Sequence, residues 1–433
     1  MRRLLLALAL LAALPAAAQE RLAIAGGRVV TNVGAPVEGG TVLVAGGRVE
    51  RVLPAGQPVP PGYTRVDAAG KWVTPGIIAG ISQIAAVEVN AVESTNETVA
   101  RNAPTSAALN LAAGLDFSET NIPVSRIEGV TAAVTAPFPG RTIFAGQGAI
   151  VSLAEGETRP LRARAFQHVA YGELGARIAG GSRPAAWAEI LNALEEARRI
   201  QTGVVSPMRD QHRDLRVSRD DAEALVPVLA GTMPLLVRVN RAADIRQVLT
   251  LRQSYPGIRL VLVEAAEGWM VANEIAAANV PVIMLGIENL PRQFETLGST
   301  MSAVGRLVAA GVRVALGTPD LDASFQPRLL PQYAGNLVAQ GRLPGGTGLS
   351  WDQAFATITR APADIFGLAD MGRIAPGARA DLVIWSDDPL EFRGKAEAVY
   401  IGGRPQPMES RQTRLARRYF PGQSEDLPPA YRR

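Results

Sequence analysis

The sequence predicts an α/β fold: a (β/α)8, TIM-like barrel carried on a small β-sandwich that both ends of the chain build together. Three observations predict it. Over about 300 residues, short continuous apolar runs alternate with stretches of helical periodicity, the pattern of strands buried on both faces with helices packed outside. Glycine-punctuated, β-rich segments occur at both ends, and the doublets Gly26-Gly27 and Gly46-Gly47 are echoed by Gly402-Gly403. No glycine-rich nucleotide loop follows any apolar run, which argues against the runner-up, a doubly wound open sheet.

The elements follow in chain order. The opening "MRRLLLALALLAALPAAAQE" has Arg2 and Arg3, an apolar stretch from Leu4 to Leu14 that is short for a bilayer span, and small residues at Ala16-Ala17-Ala18. It reads as a signal peptide, residues 1–18, cleaved after Ala18, so the mature protein is expected in the periplasm or outside the cell. Residues 19–72 carry strand-like runs such as "RLAIAGGRVV" and "GTVLVAGGRVERVLP", split by Gly and Pro turns, and form the first part of the sandwich. The barrel is expected over 73–370, with strands at 129–137, 233–240, 258–264, 280–286 and 312–317. Helices are expected at 183–201, after Ser218 with Asp221 three residues on, and after Ser350 with Gln353 three residues on, both in capping-box spacing. The stretches 85–128 and 154–183 lack regular periodicity and read as loops and short helices at the barrel mouth. "PFPGRTIFAGQGAIVSL" reads as a structured loop over the pocket, fixed by Gly146 and Gly148; it lacks the Gly-Lys-Ser/Thr ending of a phosphate loop. Residues 371–410 return to strands as the second part of the sandwich, and 411–433 form a tail.

Composition narrows the chemistry. The 433 residues are 47% hydrophobic and 19% charged, an ordinary balance for a protein with a large core. The formal charge is only +4 and the arginines are scattered, so nothing forms the stripe a nucleic-acid footprint requires. No window after the signal peptide is long and apolar enough for a membrane span. There are two histidines, His168 and His212, two lysines, Lys71 and Lys395, and no cysteine. Zinc is held by imidazole, thiolate and carboxylate donors, and a multi-histidine zinc site cannot be assembled from this set. No zinc cofactor is expected. Oxygen-rich sites for a hard cation remain open.

From end to end the chain resembles the amidohydrolase superfamily, in particular its imidazolonepropionase-like, exported branch. The resemblance rests on "VTPGIIAG", "EGVTAAVTAPFPGRTIFAGQGAIVSL", "LVRVNRAADI", "VALGTPD" and, most specifically, "TRAPADIFGLADMGRIAPGARADLVIWSDDPL". It implies a metal-assisted barrel flanked by a sandwich built from both termini, and hydrolysis of carbon–nitrogen bonds by a metal-activated water. The ligand positions that the resemblance would supply are replaced. The His-x-His after strand one falls on Ile81-Ser82-Gln83, and the aspartate before it on Ala79. The histidine after strand five falls on Arg238 or Asn240, and the one after strand six near Glu264. The aspartate after strand eight falls on Pro319, with Asp320 one place later. The bridging lysine has no counterpart, because Lys71 precedes the barrel and Lys395 follows it.

The candidate residues therefore carry two readings each. Glu264 and Asp320 end barrel strands and are the candidate acid and base for metal-free chemistry; otherwise they pair with arginines at the mouth. Glu88, Glu93 and Glu97 would join them in a carboxylate cluster. Arg238 either clamps a ligand carboxylate or phosphate or neutralises Glu264 in place of a lost metal. Gln83, Glu88, Arg238 and Asn240 are the candidate ligand-binding residues. His168 reads as a satisfied or surface histidine and His212 as solvated. The expected function is an exported amidohydrolase-family protein without metal-dependent catalysis that binds a small-molecule ligand or an active relative, as a homo- or hetero-oligomer. The alternatives are a remodelled carbon–nitrogen hydrolase acting through carboxylates or an oxygen-ligated cation, and a purely structural scaffold.

Overall fold

The computed structural model describes residues 21–203, 217–319 and 325–420. The signal-peptide segment, His212 and Asp320 lie outside the described residues. Among those described, no helix is long and apolar enough to cross a membrane.

Both ends of the chain enter one eight-stranded sheet. Its strands are β1 (Leu22–Val29), β2 (Val37–Ala45), β3 (Arg48–Leu53), β4 (Thr64–Asp67), β5 (Trp72–Pro75), β14 (Leu382–Trp385), β15 (Ala396–Ile401) and β16 (Arg404–Pro405). The joint is the antiparallel pairing of β5 with β14, with Val73 opposite Ile384. The sheet curls on itself, because the edge strand β3 also bonds the segment before β14: Val49 N donates to the Ala378 carbonyl at 2.8 Å. Ile24, Val42, Val49, Val73, Leu382 and Ile384 fill the space enclosed.

The second sheet is the barrel, in sequential order: β6 (Ile77–Ser82), β7 (Val130–Thr135), β8 (Phe144–Ser152), β9 (Arg162–Ala170), β10 (Leu235–Val239), β11 (Leu260–Glu264), β12 (Val282–Met284) and β13 (Val314–Leu316). It is nearly closed. Thr318 N donates to the Ile81 carbonyl at 2.7 Å, and Gly80 passes so near the Leu316 carbonyl that a Cβ would lie 2.7 Å from it. Alternate side chains point inward. Ile78, Val134, Ile150, Phe166, Leu236, Val263 and Ile283 make an apolar interior. The helix Arg360–Phe366 plugs the end where the strands begin: Arg162 and Arg259, at the starts of β9 and β11, donate to the Phe366 and Ile365 carbonyls. Phe366 packs on Phe166 with ring centroids 5.6 Å apart. The opposite end is the mouth.

Two expectations about the barrel need correction. The glycine-rich segment read as a loop over the pocket is barrel strand β8, and it runs antiparallel to both neighbours. The segment 154–183 contains β9, a full barrel strand. Both escape a search for continuous apolar runs. β8 is interrupted by Gly146 and Gly148, and β9 opens on Arg162 and Arg164 and carries Gln167 and His168. The helices fall where their caps predict them. Ser218 accepts from Asp221 N at the start of Arg219–Leu229, and Ser350 and Gln353 form a complete capping box on Trp351–Thr357.

The chain leaving β6 turns sharply at Ala85, which sits in the left-handed region at φ 67°. A buried carboxyl secures the turn: Ala85 N and Asn121 Nδ2 both donate to Glu119. Burial outweighs those two donors and pushes the Glu119 carboxyl up to about 8.

Two outcomes follow from this packing. A Cβ at Gly148 would lie 2.0 Å from the Phe166 ring, so Gly148→Ala should lower the free energy of urea unfolding by about 1–3 kcal/mol, as overpacking does. Glu119 binds its proton more tightly folded than unfolded, so its contribution is present at low pH and lost as pH rises through about 8. Glu119→Gln should therefore gain Tm relative to the natural protein as pH goes from 5 to about 8; a constant difference across that range would refute the assignment.

Candidate functional site

Strand alternation decides what faces the barrel interior near the mouth. Phe166 is interior, so His168, two residues on along β9, shares its face; Leu236 and Arg238 are related in the same way on β10. His168 is buried. The Pro137 carbonyl can only accept, so the 2.7 Å contact with Nδ1 places the ring proton there. Nε2 is left buried with no hydrogen-bond partner. Burial pushes the imidazole down to about 4, against the Pro137 bond, and the Arg238 charge adds to the fall. The ring is a neutral acceptor aimed into the barrel. The sequence reading had it as satisfied or at the surface; it is inside, and only one nitrogen is satisfied.

Arg238 and Glu264 meet across the ends of β10 and β11. Arg238 Nη2 is paired with Glu264 Oε1, and both side chains are about nine-tenths covered, at 15% and 14% exposure. Phe138 lies over the guanidinium, 4.7 Å from ring centroid to Cζ. Asn240 completes the group by donating to Glu264 Oε2 at 2.8 Å, while its own carbonyl accepts from Ala266 N at 3.1 Å. Glu264 and Ala265 both have positive φ, 72° and 50°. Two consecutive non-glycine residues in the left-handed region are strained, and the bonds to Arg238 and Asn240 fix that turn. Of the two readings of Arg238, the one in which it neutralises Glu264 matches this geometry.

The network continues outward. Asn240 Nδ2 also reaches Glu295 Oε1 at 3.3 Å, and Gln293 donates to the same oxygen at 3.1 Å. The other Glu295 oxygen accepts from Glu173 N and pairs with Arg183 at 3.3 Å. Burial pushes the Glu295 carboxyl above its ordinary range despite these donors. Arg183 then shares the buried Asp244 with Arg241, at 2.7 and 2.6 Å. Glu295 had no signature in the sequence: it sits in a short turn, Phe294–Thr296, far along the chain from its partners.

The remaining candidates are spread out. Gln83 is buried after β6, and its Nε2 donates to Thr98 at 3.0 Å. Glu88 turns into its own loop, accepting from the backbone and hydroxyl of Thr120 at 3.1 and 2.6 Å. Glu93 makes a surface pair with Arg101 at 2.7 Å. The carboxylate cluster expected at the mouth therefore does not form among the described residues. Glu264 takes part in the Arg238 network, while Asp320 lies outside the described residues.

Among the described residues, few nitrogen donors line the barrel interior near the mouth. Ile81 belongs to the apolar interior, and Gln83 is tied to Thr98. Among the described residues, the imidazole inside the barrel is that of His168, which feels the Arg238 charge. Among the described residues, no group of three or more His, Cys, Asp or Glu side chains is arranged to hold a metal ion. A cation there would also be opposed by the Arg238 charge.

Comparisons with known proteins agree on the lineage. The chain is 25% identical over 410 residues to amidohydrolase tasK of Hapsidospora irregularis, covering 85% of this chain and 40% of that protein. It is 38% identical over 129 residues to an imidazolonepropionase of Cereibacter sphaeroides, covering 29% of each. The chain thus spans well under two thirds of the length of these relatives. Among solved structures, an amidohydrolase from Thermotoga maritima superposes with a TM-score of 0.78 at 22% identity, over 89% of this chain and 99% of that one. A triazine hydrolase variant superposes with a TM-score of 0.54 at 15% identity, over 92% and 98%. These likenesses establish the fold. The amidohydrolase family profile matches residues 112–406, most of the barrel together with the returning strands, and the chain belongs to the amidohydrolase family.

Proposed function

We propose that this chain is an exported member of the amidohydrolase family that no longer carries out metal-dependent hydrolysis and uses its barrel mouth to bind a small-molecule ligand or an active relative. The observation that carries the reading is the Arg238–Glu264 pair. The resemblance puts a metal-binding histidine on Arg238 or Asn240, and both side chains are engaged with the Glu264 carboxylate. The apolar Ile81 and the tethered Gln83 support the same reading from strand one. Export rests on the opening twenty residues, with their paired arginines, short apolar run and small-residue cleavage site.

Three measurements test it. Elemental analysis of the purified mature protein, before and after incubation with zinc, should find zinc well below stoichiometric. Hydrolysis of a panel of amides, ureas and dipeptides should be absent and unaffected by chelators. Stoichiometric zinc, with hydrolysis that a chelator abolishes, would overturn the proposal. Hydrolysis that survives chelation and is lost in Glu264→Gln or Asp320→Asn would instead establish the remodelled carboxylate hydrolase. Finally, Arg238→Met strands a buried carboxylate and should cost about 3–5 kcal/mol in urea unfolding, most of it recovered in the double variant Arg238→Met/Glu264→Leu. Equal losses in the single and double variants would show that the pair does not organise the mouth.

A further inference from the structure

A cleft of about 700 Å³ opens where the chain leaves the ends of β9 and β10. We propose that it is a binding site for a small organic carboxylate attached to a planar apolar body. None of Gln83, Glu88, Arg238, Asn240 and Glu264 lines it, so the inference stands whether or not those residues bind anything.

The lining supplies both halves of such a ligand's needs. Tyr171 and Trp187 form one wall, with ring centroids 5.4 Å apart and planes inclined by 57°. The half-buried Trp187 offers apolar area with little conformational entropy to lose, with the buried Tyr171 packed behind it. Arg183 and Arg241 supply positive charge. Two guanidinium groups share the single carboxylate of Asp244, which is 3% exposed. Arg183 also pairs with the buried Glu295 at 3.3 Å, so Arg241, the more exposed of the two guanidinium groups, is the one free to take a second carboxylate.

The donors are also not used up. Arg241 gives one Nη2 bond to Asp244, and its side chain is 42% exposed, so its other terminal N–H groups are open to the cleft. A guanidinium held by one hand on a fixed carboxylate presents its remaining N–H groups in a set plane, suited to a second carboxylate. Gln247 adds an uncharged polar group at the rim.

The test uses the full mature chain and calorimetric titration with phenylacetate, its neutral isostere phenylacetamide, and inorganic phosphate. Phenylacetate should bind saturably, and the amide and phosphate should each bind about tenfold more weakly or worse. Arg241→Gln and Trp187→Leu should each weaken phenylacetate by about tenfold or more. Gln247→Glu leaves the Asp244 clamp intact and places a negative charge in the cleft, so it should weaken phenylacetate similarly even if Arg241→Gln fails to fold. Absence of saturable phenylacetate binding overturns the proposal. So does equal affinity for the amide or for phosphate, or binding that survives Gln247→Glu.

Discussion

The mouth of this barrel is organised by one ion pair, Arg238 with Glu264, held where β10 and β11 end. Both groups are largely removed from water, and an unpaired charge in that position is costly, so each requires the other. Asn240 satisfies the second oxygen of Glu264, and the strained turn through Glu264 and Ala265 is the backbone conformation that brings the carboxylate to its partners. Burial sets the state of His168, and the Arg238 charge adds to it. A buried imidazole beside a permanent positive charge has every reason to stay neutral, and its bare Nε2 is what remains.

From that pair the polar side chains run outward in an unbroken series. Asn240 links Glu264 to Glu295, Glu295 links to Arg183, and Arg183 shares Asp244 with Arg241 at the cleft. Side chains from four separate stretches of chain meet in this series, and each buried acid in it has at least two donors. Such networks are rigid when fully satisfied, because the low dielectric strengthens each bond and penalises any gap. The barrel mouth and the cleft are therefore parts of one ordered region.

The fold of the amidohydrolase family is kept around an ion pair, Arg238 with Glu264, and architecture alone does not fix the chemistry of a site. The interior remains packed, with Phe166 seated against Gly148 and Phe366, and the first and last strands still meet through Ile81 and Thr318. Ile81 shows the division of labour within one residue. Its side chain fills the apolar interior, while its carbonyl receives the bond that brings the barrel to near closure.

Much of the architecture was legible in the sequence, because it rests on local signals. Apolar runs at 233–240, 258–264 and 312–317 mark strands buried on both faces, and Ser218 and Ser350 mark helix starts through bonds made within one turn. The strands β8 and β9 were not legible. Their glycines and polar side chains are explained only by what lies opposite: Phe166 fills the space at Gly148, and Pro137 bonds the ring of His168. The position of Glu264 at the end of a strand could be read from its run, and so could the strangeness of Arg238 in an apolar segment. That these two are paired, that Glu88 turns away into its own loop, and that Glu295 and Asp244 join from distant turns was decided by tertiary structure alone. The reason is physical: periodicity and capping act over a few residues, whereas a buried charge finds its partner wherever the fold brings one within reach.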